Sequence, residues 1–260
     1  MLPQDLTSDL LAYMVKHRFQ PGDQLPTLTE LSDEMGISVN KLREQLEVAR
    51  TLGLVDVRPR AGIRVRPYSF LPAVRLSLLY ALAMDRQLFR AFGDLRISIE
   101  VGFWRDAVTR LQPEDHQRLK ALVERAWKKL NDTPVHLPHS EHREFHLTVF
   151  SRLDNPFATA MLESYWEAYE ATEYHVYADY KYLREVWTFH ERIADLILAG
   201  DVDGSLTAFI EHTRLLRYRN TPGSEHPVAV EMPAFLASDG RDLETPVNAP
   251  ANSSDTSVVE

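Results

Sequence analysis

From residue 73 to about residue 219, apolar side chains recur at intervals of three and four, and no stretch of useful length alternates apolar with polar residues. Val186, Phe189, Ile193, Leu196 and Ile197 are one such stripe. A period near 3.6 is the signature of helices that bury one face, whereas a strand needs a period of two. A sheet framework is therefore excluded for more than half of the chain. The stripes are interrupted at Pro113, between Pro134 and Pro138, at Asn155-Pro156 and at Gly200-Asp201. These breaks predict helices near 73–84, 86–111, 114–131, 139–153, 157–177, 181–199 and 202–219, because proline and glycine end helices. Six to seven helices of this length pack as an all-α antiparallel bundle.

The first 67 residues follow another rhythm. Leu6, Leu10, Leu11, Met14 and Val15 give an amphipathic helix within 4–17, and Pro21-Gly22 then turns the chain. Thr27 can cap a short helix over 28–35, with Glu30 completing a capping box and Gly36 ending it. Ser38 caps a longer helix near 39–52 with an inner stripe of Val39, Leu42, Leu46 and Ala49, closed by Gly53. Residues 54–57 and 63–66 then alternate as strands around the loop Arg58-Pro59-Arg60-Ala61-Gly62. Three helices and a two-stranded hairpin make a winged helix-turn-helix. Its third helix can enter a major groove while the wing grips backbone or minor groove.

Charge supports that use. The chain carries a net charge of −9 overall, yet residues 36–67 hold seven basic side chains against three acidic ones. Such a patch in an acidic protein is suited to phosphate, on which affinity for DNA rests. Residues 221–260 behave oppositely, with one basic residue against seven acidic ones amid Pro, Ser, Asn and Thr. Too little apolar surface is available there to offset the entropy of ordering, so a disordered acidic tail is expected. Residues 1–67, the linker 68–72, the bundle 73–220 and the tail 221–260 thus form the expected domain plan.

The stretch HSEHREFH at 139–146 carries the most pointed chemistry. On a helix His142 and His146 leave the same face one turn apart, a natural half of a metal site. The chain has no cysteine, so a metal would be held by His, Asp or Glu. His139 is expected to be a solvated bystander at the helix start. The first residues lack a signal-peptide pattern and no apolar run is long enough to span a bilayer, so no membrane is expected and a cytoplasmic protein is.

The segment from Gln20 to Val65, with PGDQLP, ELSDEMGIS, LREQL, LGLV and a glycine-bearing wing, resembles the N-terminal domain of GntR-superfamily bacterial transcriptional regulators. The resemblance implies operator contacts from the third helix and the wing. Arg43 matches the arginine of the family's LRE triplet, and Gly62 matches the wing glycine. The family usually places arginines where this chain has Thr29 and Val39, so either the operator is atypical or Lys41, Arg58, Arg60 and Arg64 compensate. Residues 73–220 resemble the FCD ligand-binding domain of the FadR-like branch. The stretches concerned are DLRISIE, HREFHLTVFSRLDNP and FHERIADLILAGD followed by FIEHTR.

That second likeness implies a divalent metal held by His146, His190 and His212, with His142 standing where the family has Asp. Zn²⁺ is expected, with Ni²⁺ or Mn²⁺ as alternatives. Independently, His190 and His212 lie at matching heights on helices joined by the short turn 198–201, so an antiparallel pair can bring both inward. Arg96, at the family's Arg-x-x-x-Glu position, is the candidate clamp for a small carboxylate effector, although Glu100 is also placed for an intrahelical ion pair. Trp104, Tyr165, Trp166, Tyr169 and Tyr174 are candidate pocket walls. The whole reads as a homodimeric repressor of a palindromic operator, and not an enzyme. Two rivals are a metal-dependent hydrolase using the histidines with Glu141 or Glu191 as base, and a constitutive DNA-binding protein with a ligand-insensitive bundle.

Overall fold

The computed structural model describes residues 6–171 and 180–217. The expected tail at 221–260 lies outside the described residues. The N-terminal part runs α1 (Asp9–Lys16), β1 (Gln24–Leu25), α2 (Leu28–Met35), α3 (Val39–Thr51), β2 (Val55–Arg58) and β3 (Gly62–Val65). Local chemistry sets these boundaries. The Thr27 hydroxyl accepts from the Glu30 amide while the Glu30 carboxylate accepts from the Thr27 amide at 2.7 Å, so the capping box closes as expected. Ser38 caps α3 by accepting from the Lys41 amide.

Leu10, Leu31, Leu42, Ala49, Val55 and Ile63 form one buried cluster that draws the three helices onto the strands. Gln45, on α3, adds a polar tie. Its side-chain oxygen accepts from the Leu10 amide at 2.8 Å and its amide donates to Asp9 at 2.9 Å, satisfying the start of α1.

The expected two-stranded hairpin is in fact a three-stranded sheet ordered β1-β3-β2. β3 pairs antiparallel with both neighbours, Val57 opposite Ile63 and Gln24 opposite Arg64. β1 spans only two residues, too few to display any periodicity. It is recruited by the free edge of β3, with the Gly22 amide donating to the Val65 carbonyl at 2.8 Å. Gly62 opens β3 with φ of +77°, and a Cβ there would stand 2.8 Å from Gln24 Nε2, so the third strand also crowds the wing glycine.

Seven helices follow among the described residues: α4 (Leu71–Met84), α5 (Leu88–Thr109), α6 (Pro113–Asn131), α7 (His139–Val149), α8 (Pro156–Ala171), α9 (Tyr180–Leu198) and α10 (Val202–Arg217). Pro113 and Pro156 open α6 and α8, where a missing amide proton costs nothing. α6 packs on α7 and α9, while α4 and α5 lean on α8. Trp104, Phe145, Phe150, Trp187 and Phe209 are large side chains buried at the centre, each contributing roughly 1.5–3 kcal/mol or more by leaving water. A smaller cluster of Leu82, Phe89, Tyr165 and Trp166 fills the space between α4, α5 and α8.

The expected linker 68–72 is shorter than its span suggests, because α4 already begins at Leu71. Tyr68 and Phe70 set their rings edge-on to Phe157 at the start of α8, at 6.0 and 5.4 Å. Gly53 follows α3 with φ of +72°, and a Cβ there would come within 2.7 Å of Pro72 Cγ. Gly53→Ala therefore incurs the left-handed backbone cost of about 1–2 kcal/mol together with that clash. A melting temperature lowered by roughly 2–4 °C per kcal/mol should result. A calorimetric melt unchanged from wild type would contradict it.

Candidate metal centre

Four imidazoles from three helices converge in the bundle. α7 supplies His142 and His146 from successive turns, α9 supplies His190 and α10 supplies His212, all buried. One nitrogen from each lies within 4.8 Å of those of the others. The turn between α9 and α10 does what the spacing implied, bringing the His190 and His212 rings to 4.5 Å between centroids. His142 lies 4.8 Å from His190 and 5.0 Å from His146 by the same measure. His139 is the first residue of α7 and is half-buried rather than solvated, because its helix start is packed into the bundle.

The hydrogen bonds determine where two protons sit. His146 Nδ1 lies 2.9 Å from Glu100 Oε1, and a carboxylate can only accept, so Nδ1 carries the proton. His190 Nδ1 donates likewise to the Val186 carbonyl at 2.7 Å. Each ring is thereby left with a lone pair on Nε2, and these two atoms face each other at 3.2 Å. Neither can donate to the other in the neutral state. His142 Nε2 and both ring nitrogens of His212 are buried with no hydrogen-bond partner among the described residues. Ordinary core histidines satisfy their nitrogens; His142 and His212 do not.

Burial is the largest influence on these rings, and it disfavours the charged form. His142, His190 and His212 are pushed well below the usual histidine range, chiefly by burial and then by neighbouring histidines, His146 among them in each case, with Arg96 adding to the effect. His146 is also lowered by burial, although Glu100 opposes the change. The result is four neutral imidazoles with converging lone pairs, the protonation state that a metal requires. With no carboxylate oxygen in the group, the donors suit a borderline ion such as Zn²⁺ rather than Mg²⁺ or Ca²⁺. The Glu100 carboxylate and the Val186 carbonyl are the outer partners that orient such ligands.

Glu100 is the residue that sequence reasoning undervalued. The sequence marks it as part of the Arg-x-x-x-Glu motif and as an i, i+4 partner of Arg96, and that pair does form at 2.7 Å. The pair is not a surface one, for both side chains are essentially inaccessible. Burial alone would raise the Glu100 pKa, but Arg96 and then His146 more than offset it and hold the carboxylate ionised. The His146 contact spans 46 positions, a separation at which no local pattern exists. Arg96 places its guanidinium 4.6 Å from the Tyr165 ring and 5.5 Å from the Trp166 ring, and its Nη2 has no hydrogen-bond partner among the described residues.

Of the expected pocket aromatics, Trp166 meets the His142 and His146 rings at 4.8 and 5.0 Å, and Tyr165 covers Arg96. Trp187, not anticipated, lies 4.9 Å from His190. Trp104 belongs to the core, stacked on Phe209 and bonded to Ser205, and Tyr169 packs near Phe89. Tyr174 lies outside the described residues. The two candidate bases of a hydrolase are engaged elsewhere, Glu141 with Lys129 at 2.8 Å and Glu191 with the Trp127 indole.

On the N-terminal part, Lys41, Arg43, Arg58, Arg60, Gly62 and Arg64 are all exposed. Lys41 pairs with Asp9 at 2.7 Å, Arg58 with Asp56 at 2.7 Å, Arg43 donates to Asn40, and Arg64 donates to the Gly22 carbonyl. Arg60 sits at the wing tip with φ of +64°.

Comparison with known proteins adds the following. Residues 4–65 match the family described as bacterial regulatory proteins, gntR family, and residues 92–215 match the FCD domain family. The chain is 25% identical over 214 residues to the HTH-type transcriptional regulator YcbG of Bacillus subtilis, covering 80% of this chain and 85% of that one. It is 23% identical over 235 residues to the Exu regulon transcriptional regulator of Escherichia coli, covering 85% and 86%. Among solved structures, Streptococcus agalactiae GntR superposes with a TM-score of 0.56 at 17% identity, covering 83% of this chain and 98% of that one, a likeness of fold.

Neutral burial of the histidines has a measurable consequence. An unfolded histidine titrates near pH 6.5, and all four folded values lie lower, so acid favours the unfolded chain. Their contribution is complete above about pH 6.5 and is lost as the pH falls below it. Glu100, also depressed, adds stability above about pH 4.3 that is lost on further acidification. The metal-free protein should have a flat urea midpoint from about pH 7 to 8, then lose up to about 1.4 kcal/mol per pH unit for each histidine. Equal midpoints at pH 7.5 and 5.5 would show that these rings are not held neutral.

Proposed function

The chain belongs to the gntR family of bacterial transcriptional regulators and carries an FCD domain, and from that premise we propose a metal-containing, ligand-responsive repressor. Members of this family are regulators and not enzymes, so a hydrolase built on the histidines is set aside. Residues 1–67 serve as the DNA-binding domain and residues 73–220 as the sensor, joined through 68–72. The protein acts as a homodimer on a palindromic operator, because two copies of one winged helix fit two inverted half-sites. No described helix is long and apolar enough to cross a membrane, and a DNA target assigns the protein to the cytoplasm.

The observation that carries the proposal is the set of four buried, neutral imidazoles beside a buried arginine with an unpaired donor. His142, His146, His190 and His212 hold a divalent ion, Zn²⁺ first and Ni²⁺ as the alternative. Mn²⁺ suits an all-nitrogen set less well, since it favours oxygen ligands. The ion supplies Lewis acidity toward a carboxylate when bound. Arg96 offers Nη2 to the same effector, a small organic acid, with its charge held in place by Glu100. One relative from Escherichia coli carries the name of an L-lactate dehydrogenase operon regulatory protein, in keeping with a small acid as signal. Occupancy of the site shifts the population of arrangements open to the paired DNA-binding domains, and so their fit to the operator.

At the DNA, Lys41 and Arg43 on α3 and Arg58, Arg60 and Arg64 around the wing contact the duplex, with Gly62 shaping the loop. Their exposure and charge support this role. A binding site selected from random duplex should contain inverted half-sites. On it, Arg60→Ala should weaken binding to all sequences alike and lower the slope of log affinity against log salt by about 1. Metal analysis of the purified protein should return one divalent ion per chain, and chelation should abolish the response of operator binding to small acids. Full responsiveness in a metal-free sample would instead favour a sensor that works without an ion. Insensitivity to every acid with metal bound would favour the constitutive DNA-binding protein.

A further inference from the structure

The buried charges of the described chain balance one another. Arg96, Glu100, Asp115 and Glu141 are the buried residues with formal charge, apart from the histidines. Arg96 pairs with Glu100 at 2.7 Å, Glu141 with Lys129 at 2.8 Å, and Asp115 with Arg152 at 2.8 Å. Glu167, beside Trp166 in sequence, pairs with Arg75 at 3.0 Å. No carboxylate stands among the four nitrogen donors. A divalent ion seated there thus brings two positive charges into an interior whose described charges already oppose one another. Burying unopposed charge is costly, and the remedy is an anion that enters with the ion.

The same wall holds donors without acceptors. Among the described residues, Arg96 Nη2 and Trp166 Nε1 are both buried without a hydrogen-bond partner, and both residues are inaccessible. The Arg96 guanidinium lies 5.5 Å from the Trp166 ring, which itself lies 4.8 Å from the His142 ring. Arg96 is also close enough for its charge to act on all four histidines. A buried donor left unmade is penalised, so both call for oxygen acceptors from elsewhere.

We propose that the effector of this centre is a dianion, a small dicarboxylate that sets one carboxylate toward the ion and the other toward Arg96 Nη2 and Trp166 Nε1. The proposal rests on the metal-site reading above and names the ligand class for that site. His142 is the determinant. A carboxylate in its place would cancel one of the two charges and leave a centre balanced by a monocarboxylate.

The test uses the full chain loaded with Zn²⁺, freed of excess ion and checked for metal content before and after each titration. Succinate and butyrate have the same carbon count and differ by one carboxylate. Calorimetry should find succinate binding about tenfold or more tighter, the factor expected from one additional charge-assisted hydrogen bond. His142→Asp, verified as folded by its melting curve, should narrow or reverse that preference. Equal affinities, tighter butyrate, or binding of neither acid to the loaded protein overturns the proposal. So does succinate binding equally to the chelated protein, since the ion's charge would then be irrelevant. A protein that takes up no divalent ion fails at the first metal analysis, which overturns the metal-site reading itself before any acid is added.

Discussion

The centre of the bundle depends on one carboxylate held between a guanidinium and an imidazole. Glu100 accepts from Arg96 with one oxygen and from His146 with the other, at 2.7 and 2.9 Å, with all three side chains buried. Each bond answers a problem created by the others. Arg96 keeps Glu100 ionised in a place where burial alone would protonate it. The ionised carboxylate in turn holds the His146 proton on Nδ1 and frees Nε2 to point at His190. Breaking a buried pair of this kind costs on the order of 3–5 kcal/mol, because the surviving charge is left unopposed. The geometry of the histidine group therefore rests on an interaction made outside it.

The N-terminal part works by the opposite economy, with its charges displayed rather than buried. Its core is a modest cluster drawn from three helices and the strands. Several basic side chains there are tied to neighbours by exposed contacts, such as Lys41 with Asp9 and Arg58 with Asp56. Exposed pairs of this type are worth about 1 kcal/mol or less, so they hold these cations only weakly. A chain with a net charge of −9 can in this way present a basic surface where it is needed.

What could be read in advance follows the reach of each signal. Capping is local, and Thr27 with Glu30 placed α2 to the residue. Proline breaks are local too, and Pro113 and Pro156 open the helices expected of them. β1 escaped notice because two residues carry no period and its pairing with β3 crosses about 40 positions. Helix ends shifted by a few residues where packing, rather than a breaker, decides them; α4 begins at Leu71 and α7 ends at Val149. His142 and His146 could be paired from spacing, and His190 with His212 from the short turn between their helices. Resemblance joined the two pairs before the fold did. Glu100, by contrast, had no local reason to be more than a salt-bridge partner.

The sequence by itself determined the helices, the winged module, the family and the histidines that could meet, because period, caps, breakers and motifs all act within a few residues of one another. Only the tertiary structure decided that the Arg96–Glu100 pair is buried, that Glu100 orients His146, and that Arg96 Nη2 and Trp166 Nε1 lack acceptors among the described residues. Those facts depend on which side chains are removed from water and on what meets them across long separations. Burial also turns the four histidines into neutral donors, since the cost of charge in the interior exists only once the chain has closed around it.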